Sequence, residues 1–157
     1  MTELPLSIGT MHFTGIGGIG MSGIAEILHD LGYAVQGSDM SENANVRRLR
    51  DKGITVMIGQ NAANVDNASL LVISTAIKPD NAEVVAARAR FLPIVHRAEM
   101  LGELMRLRWS IAVAGTHGKT TTSSMMMLAL TEADRRPGFV IGGDVTDMGV
   151  GAAWTGS

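Results

Sequence analysis

The chain has no cysteine. That absence excludes a disulfide framework, a thiolate nucleophile and a zinc–thiolate site, and it makes a cytoplasmic setting the simpler expectation. Aromatic residues are scarce at 4%, and 13 Lys and Arg against 15 Asp and Glu leave a formal net charge of −2. With no basic surplus to neutralise phosphates and few rings for base stacking, nucleic acid is not an expected partner. No apolar run approaches the ~20 residues that cross a bilayer. Residues 1–7 carry Glu3 and Pro5 where a secretory signal has basic residues, so a soluble, unprocessed protein without a membrane partner is expected. What is present is globular composition: 46% hydrophobic, 18% charged, and 19 glycines in 157 residues. That length supports one comfortable core and leaves little for a second.

Residues 11–14 read as a short strand running straight into Gly15-Ile16-Gly17-Gly18-Ile19-Gly20. Ile24, Ile27, Leu28 and Leu31 then fall at helical spacing, and Gly32 closes that helix. A second strand ends at Ser38-Asp39, which completes one βαβ unit. A helix over 45–52 closed by Gly53, a strand over 54–58, a polar connection or short helix over 61–67 and a nearly continuous apolar strand over 70–73 follow. Further on come a helix opened by Pro79-Asp80-Asn81, a strand over 92–95 and an amphipathic stretch over 98–107. Residues 111–114 form another apolar run, expected as a strand, before a second glycine loop and a Met/Leu-rich helix. The tail glycines, Gly142, Gly143, Gly149, Gly151 and Gly156, leave room for one more strand around 139–141. This alternation predicts an α/β fold, an open parallel sheet with helices on both faces.

At Gly15, Gly17 and Gly20 glycine permits a tight turn, a bare backbone against which a diphosphate can lie, and a close helix–strand crossing. The amides at the following helix start would face the anion. A G-x-G-x-x-G string is weak evidence alone, but this one follows a strand, opens a helix and has Asp39 at the end of the next strand. The structural alternative is glycines that only allow tight packing, with Asp39 a solvated strand-end carboxylate. In the second junction, Gly118-Lys119-Thr120 supplies a lysine for β/γ-phosphates and a hydroxyl for Mg²⁺. It departs from the usual phosphate loop, since Val113 stands where that pattern needs glycine and the first glycine is Gly115.

The remaining chemistry-bearing residues read as structural. His12 and His29 are expected to be packing residues, while His96 and His117 are candidate ligand contacts only by position; no two histidines have metal-ligand spacing. Met125-Met126-Met127 reads as core and helix-surface filling, and the clusters Arg47-Arg48-Leu49-Arg50 and Arg88/Arg90 as solvated helix faces.

The two sites together resemble the Mur ligase family. The likeness is carried by His12-Phe13-Thr14-Gly15-Ile16-Gly17-Gly18-Ile19-Gly20-Met21-Ser22-Gly23-Ile24-Ala25, by Gly37-Ser38-Asp39, by Ser74-Thr75-Ala76-Ile77, by Arg97-Ala98-Glu99-Met100-Leu101, and by Ala114-Gly115-Thr116-His117-Gly118-Lys119-Thr120-Thr121-Thr122. The resemblance implies a Rossmann-like UDP-sugar domain over 1–107 and the truncated start of an ATP-binding central domain over 108–157. It implies ATP-dependent ligation of L-alanine to UDP-N-acetylmuramate through an acyl phosphate, with ATP and Mg²⁺ as cofactors. In that picture Gly15, Ile16, Gly17, Gly18, Ile19 and Gly20 receive the UDP diphosphate, and Asp39, Ser74, Thr75, Ala76 and His96 line the substrate pocket. Gly115, Thr116, His117, Gly118, Lys119, Thr120 and Thr121 hold ATP; Lys119 and Thr120 serve the phosphoryl transfer, and Thr120 takes Mg²⁺. The family's acidic Mg²⁺ ligands, modified lysine and amino-acid domain find no match in this chain, so an incomplete, inactive fragment is expected. Three alternatives stay open: an NAD-dependent oxidoreductase using the first loop, a non-catalytic sugar-nucleotide module, and, within the family, ligation of a whole stem peptide.

Overall fold

The computed structural model describes residues 8–107 and 109–141 and the backbone of 153–154. The opening residues 1–7 and the five tail glycines named above lie outside the described residues. Five strands, β1 (Thr10–Thr14), β2 (Val35–Asp39), β3 (Thr55–Ile58), β4 (Ala68–Ile73) and β5 (Ile94–His96), form one sheet in the order β3-β2-β1-β4-β5. Every pairing in it is parallel, with Met11 opposite Val35 on one side and Leu70 on the other. The helices are α1 (Ile19–Asp30), α2 (Ala44–Asp51), α3 (Ala82–Ala89) and α4 (Arg97–Leu107), with a 3-10 turn at Ala62–Val65.

Two apolar layers cover the sheet, as the alternation requires. On one face Met11 and Phe13 of β1 and Leu70 and Val72 of β4 pack with Ile24 and Leu28 of α1, Leu49 of α2 and Met100 of α4. On the other, Leu71 and Ile73 of β4 pack with Val84 and Ala87 of α3 and Val65 of the 3-10 turn. Asn43 caps α2 by accepting from the Val46 N–H at 2.9 Å, and Asn81 caps α3 by accepting from the Glu83 N–H at 2.9 Å.

The strand order reverses between β1 and β4. Their following loops leave in opposite directions and open a crevice at the carboxyl ends of the strands, where open α/β sheets bind ligands. The Rossmann-like sheet expected from the sequence is therefore present. The strand expected at 111–114 is not: that segment has no regular structure, and Ile111 is 49% exposed. A parallel strand needs a neighbour to supply its ladder, and no described strand pairs with this one. The helix after it does form, as α5 (Lys119–Glu132), and β6 (Phe139–Val140) pairs antiparallel with β7 (Ala153–Trp154) beside α1. No helix among the described residues is long and apolar enough to cross a membrane.

Candidate functional site

The glycine loop is tied to β2 before it reaches α1. Gly15 turns the chain with φ +76°, a conformation L side chains rarely adopt, and the Gly15 and Ile16 N–H groups both donate to the Ser38 carbonyl, at 2.8 and 2.9 Å. The Ile16 side chain is fully buried and packs over Gly37. At Gly17 the N–H donates to Asp39 Oδ2 at 2.8 Å, and the carbonyl accepts from Asn45 Nδ2 at 2.9 Å. A β-carbon here would lie 2.6 Å from Asn43 Nδ2 and 2.8 Å from Asp39 Oδ2, so only glycine fits without displacing both.

Gly18 is the N-cap of α1 and supplies no side-chain cap, and the first turn carries no acid. Its own N–H donates to the Gly15 carbonyl at 3.2 Å, while its carbonyl accepts from Met21 and Ser22 at 3.0 and 2.8 Å. The Ile19 and Gly20 amides are left open among the described residues, at the positive end of the helix dipole. Arg97, the first residue of α4, lays its guanidinium over Gly20, with Nη1 2.6 Å from where a β-carbon would stand. No described residue hydrogen-bonds or ion-pairs with it. Two open amides and an unpaired guanidinium line the same cleft, the donor chemistry that suits an anion.

These groups line a cleft of about 320 Å³ together with Asp39, Asn43, Ser74, Ala76 and Ile77. Of the residues expected from the sequence, Gly15, Gly17, Gly18, Ile19, Gly20, Asp39, Ser74 and Ala76 come together there. Three do not line it. Ile16 is a core residue, Thr75 lies on the exposed turn beside the cleft, and His96 is exposed with its backbone N–H donating to Glu99 Oε2 at 2.7 Å. Asn43 lines the cleft without having been expected there, and so does Arg97, one place after His96; Arg97 carried the family likeness but was given no role in the site. Its position directly after a strand's carboxyl end was the available signal, since ligands meet open sheets there. Asp39 also differs from expectation, because one carboxylate oxygen is already committed to the Gly17 amide.

The second loop is an exposed turn. Gly118 is the N-cap of α5 in the left-handed conformation (φ +76°) with no side-chain cap. Lys119 bends back so that Nζ donates to the Gly115 carbonyl and, at 3.3 Å, to the Thr116 carbonyl. Thr116 Oγ1 lies 3.0 Å from His117 Nδ1, and Thr120 and Thr121 are exposed in the first turn of the helix. The ammonium thus sits inside the loop, taken up by the loop's own carbonyls, with Thr120 beside the helix start.

Residues 10–109 match the Mur ligase family, catalytic domain. The chain belongs to the Mur ligase family. It is 63% identical over 152 residues to the UDP-N-acetylmuramate–L-alanine ligase of Rhodospirillum rubrum, and 64% identical over 149 residues to that of Gluconacetobacter diazotrophicus. These alignments take in 97% and 95% of this chain but 32% and 31% of those proteins, so the chain spans about a third of the length of the curated relatives it matches. Among solved structures, the UDP-N-acetylmuramate-alanine ligase of Thermotoga maritima superposes with a TM-score of 0.88 at 33% identity, over 94% of this chain and 35% of that one. The UDP-N-acetylmuramate:L-alanyl-gamma-D-glutamyl-meso-diaminopimelate ligase from Neisseria meningitides gives 0.85 at 37% identity, over 92% and 46%. The match to the family ends before Gly115, so the second loop lies beyond it.

Proposed function

We propose that this chain carries the sugar-nucleotide cleft of a cytoplasmic Mur ligase that joins L-alanine to UDP-N-acetylmuramate. In this reading residues 1–107 form the UDP-sugar domain and 108–157 the beginning of an ATP-binding one. The observation that carries it is the pairing of the open Ile19 and Gly20 amides with the unpaired Arg97 guanidinium, in a cleft with room for a diphosphate and part of a nucleoside. Asp39 and Asn43 line the same cleft, where sugar hydroxyl or base amide groups would meet them. Identity above 60% to alanine ligases over nearly the whole chain supports alanine as the amino acid. Likeness to the Neisseria stem-peptide ligase supports a second reading, in which a peptide is joined to the same sugar nucleotide.

ATP would lie with its phosphates on the Gly118–α5 junction. The residues present fit that group, because the helix start is uncapped and Lys119 can turn from the Gly115 carbonyl toward β- and γ-phosphate oxygens. Mg²⁺, when bound, supplies charge that offsets the transferring phosphoryl group. Thr120, exposed in the first turn of α5 next to Lys119, would provide one hydroxyl ligand.

Titration calorimetry with UDP-N-acetylmuramate and with NAD tests the reading. Binding of the sugar nucleotide is expected, weakened about tenfold or more by Arg97→Ala as one charge-assisted contact is lost. Tight NAD binding with no response to the sugar nucleotide would instead establish the oxidoreductase alternative.

A further inference from the structure

The two faces of β1 and β2 differ in chemistry. Met11 and Phe13 enter the larger apolar core, whereas His12 and Thr14, paired in register with Gln36 and Ser38, point to the opposite face. There a fully buried acid from α3, Glu83, meets them. Its Oε2 accepts from His12 Nε2 at 3.1 Å, Thr14 Oγ1 at 2.6 Å and Ser38 Oγ at 2.8 Å, and its Oε1 accepts from Asn64 Nδ2 at 2.7 Å.

Gln36 sets the direction of the hydrogen bonds in this cluster. Its Nε2 donates at 2.9 Å to the Asn64 carbonyl, which can only accept, and the same nitrogen lies 3.2 Å from His12 Nδ1. Nδ1 is therefore the acceptor, and Nε2 carries the proton toward Glu83. Four donors from three elements thus converge on one buried carboxylate. Burial pushes the Glu83 carboxyl up, but hydrogen bonds from His12, Thr14 and Asn64 outweigh it and hold the pKa below the ordinary 4.5.

Two of those donors are at the strand tips that build the cleft. Thr14 immediately precedes Gly15, and Ser38 immediately precedes Asp39 while its carbonyl takes the Gly15 and Ile16 amides. We infer that Glu83 is a positioning residue for the diphosphate cleft: it ties the ends of β1 and β2 together beneath the glycine loop and so sets where the loop amides and Asp39 stand. The inference rests on the cleft being the sugar-nucleotide site. Glu83 itself does not line that cleft.

The test compares Glu83→Gln with Val84→Ala, a substitution in the adjacent core position of the same helix, which loses packing but no donor to the cluster. UDP affinity by calorimetry and amide hydrogen exchange at Gly15 and Ile16 are both read at a temperature where each protein is folded. Glu83→Gln is expected to weaken UDP binding about tenfold and to speed exchange at both amides, while Val84→Ala stays within about twofold of the unsubstituted chain. Ser38→Ala, which removes a single tether, is expected to move both readouts the same way by less; it decides the matter if Glu83→Gln does not fold. Unchanged affinity and exchange in the cluster variants, or equal losses in Val84→Ala, would overturn the inference. If the unsubstituted chain does not bind UDP, the functional reading of the cleft fails, and the exchange rates at Gly15 and Ile16 alone decide whether Glu83 positions the loop.

Discussion

Gly17 is held on both sides of its peptide, by Asp39 on the N–H and Asn45 on the carbonyl. A methyl group there must push aside both Asn43 and Asp39, so Gly17→Ala is expected to destabilise the chain by about 1–3 kcal/mol. It should weaken UDP-N-acetylmuramate binding as well, since the loop would shift; urea unfolding and calorimetry give the two numbers. Glu83 makes a prediction of a different kind. Its folded-state pKa is lowered from the ordinary 4.5, so the ionised carboxylate stabilises the native state above that value. That contribution is lost as pH falls through 4.5 and on through the lower folded-state value, where the native state must also take up the proton. Unfolding measured over about pH 3 to 6 should show a shallower acid slope in Glu83→Gln than in the unsubstituted chain. The glycine pattern and Asp39 were legible in the sequence because their spacing is local. Glu83 was not, since an acid in the first turn of a helix is usually a solvated residue favoured by the dipole. Its burial depends on polar side chains tens of residues away.

The βα alternation could be read along the chain because parallel strands buried on both faces are apolar throughout and the helices between them carry their own period. What periodicity could not give is how elements brace one another. The arginine cluster of α2 looked uniformly solvated, and Arg47 fits that description, with only a 3.7 Å ion pair to Glu42 and a side chain 62% exposed. Arg48 does not. Its Nε and Nη2 donate to both oxygens of the buried Glu26 at 3.2 and 3.0 Å, and its Nη1 donates to Asn45 Oδ1 at 3.1 Å. Asn45 in turn holds the Gly17 carbonyl, so a residue that reads as surface charge links α1, α2 and the glycine loop. Arg48→Ala should cost about 1–3 kcal/mol by leaving the Glu26 carboxylate short of donors, whereas Arg47→Ala should stay within about 0.5 kcal/mol. Chemical denaturation of the two variants separates them. Arg97 carried the family likeness but was given no role in the site, for the same reason as Arg48: its contact with Gly20 is made by the fold, not by spacing.

Over the whole molecule, two loops with similar local chemistry have unequal support. The first stands at the reversal point of a five-stranded sheet, with the Gly15, Ile16 and Gly17 amides held by β2 and the Gly17 carbonyl by α2. The second follows residues 111–114, whose apolar composition suggested a strand but which lack a ladder among the described residues, and its lysine is held by exposed loop carbonyls. A ligand binding a preformed site raises stability by mass action, about 2.7 kcal/mol at a hundredfold excess over Kd, whereas one that must first order its loop loses part of its binding energy to that ordering. Thermal unfolding should therefore show a larger upward shift with UDP-N-acetylmuramate than with an equal concentration of Mg-ATP. Lys119→Ala should abolish the ATP shift and leave the UDP-N-acetylmuramate shift intact, whereas Arg97→Ala should shrink the UDP-N-acetylmuramate shift by about half and leave the ATP shift intact. A loss of both shifts in Lys119→Ala would mean that the two loops are energetically coupled, and the division of the chain near residue 107 would have to be abandoned.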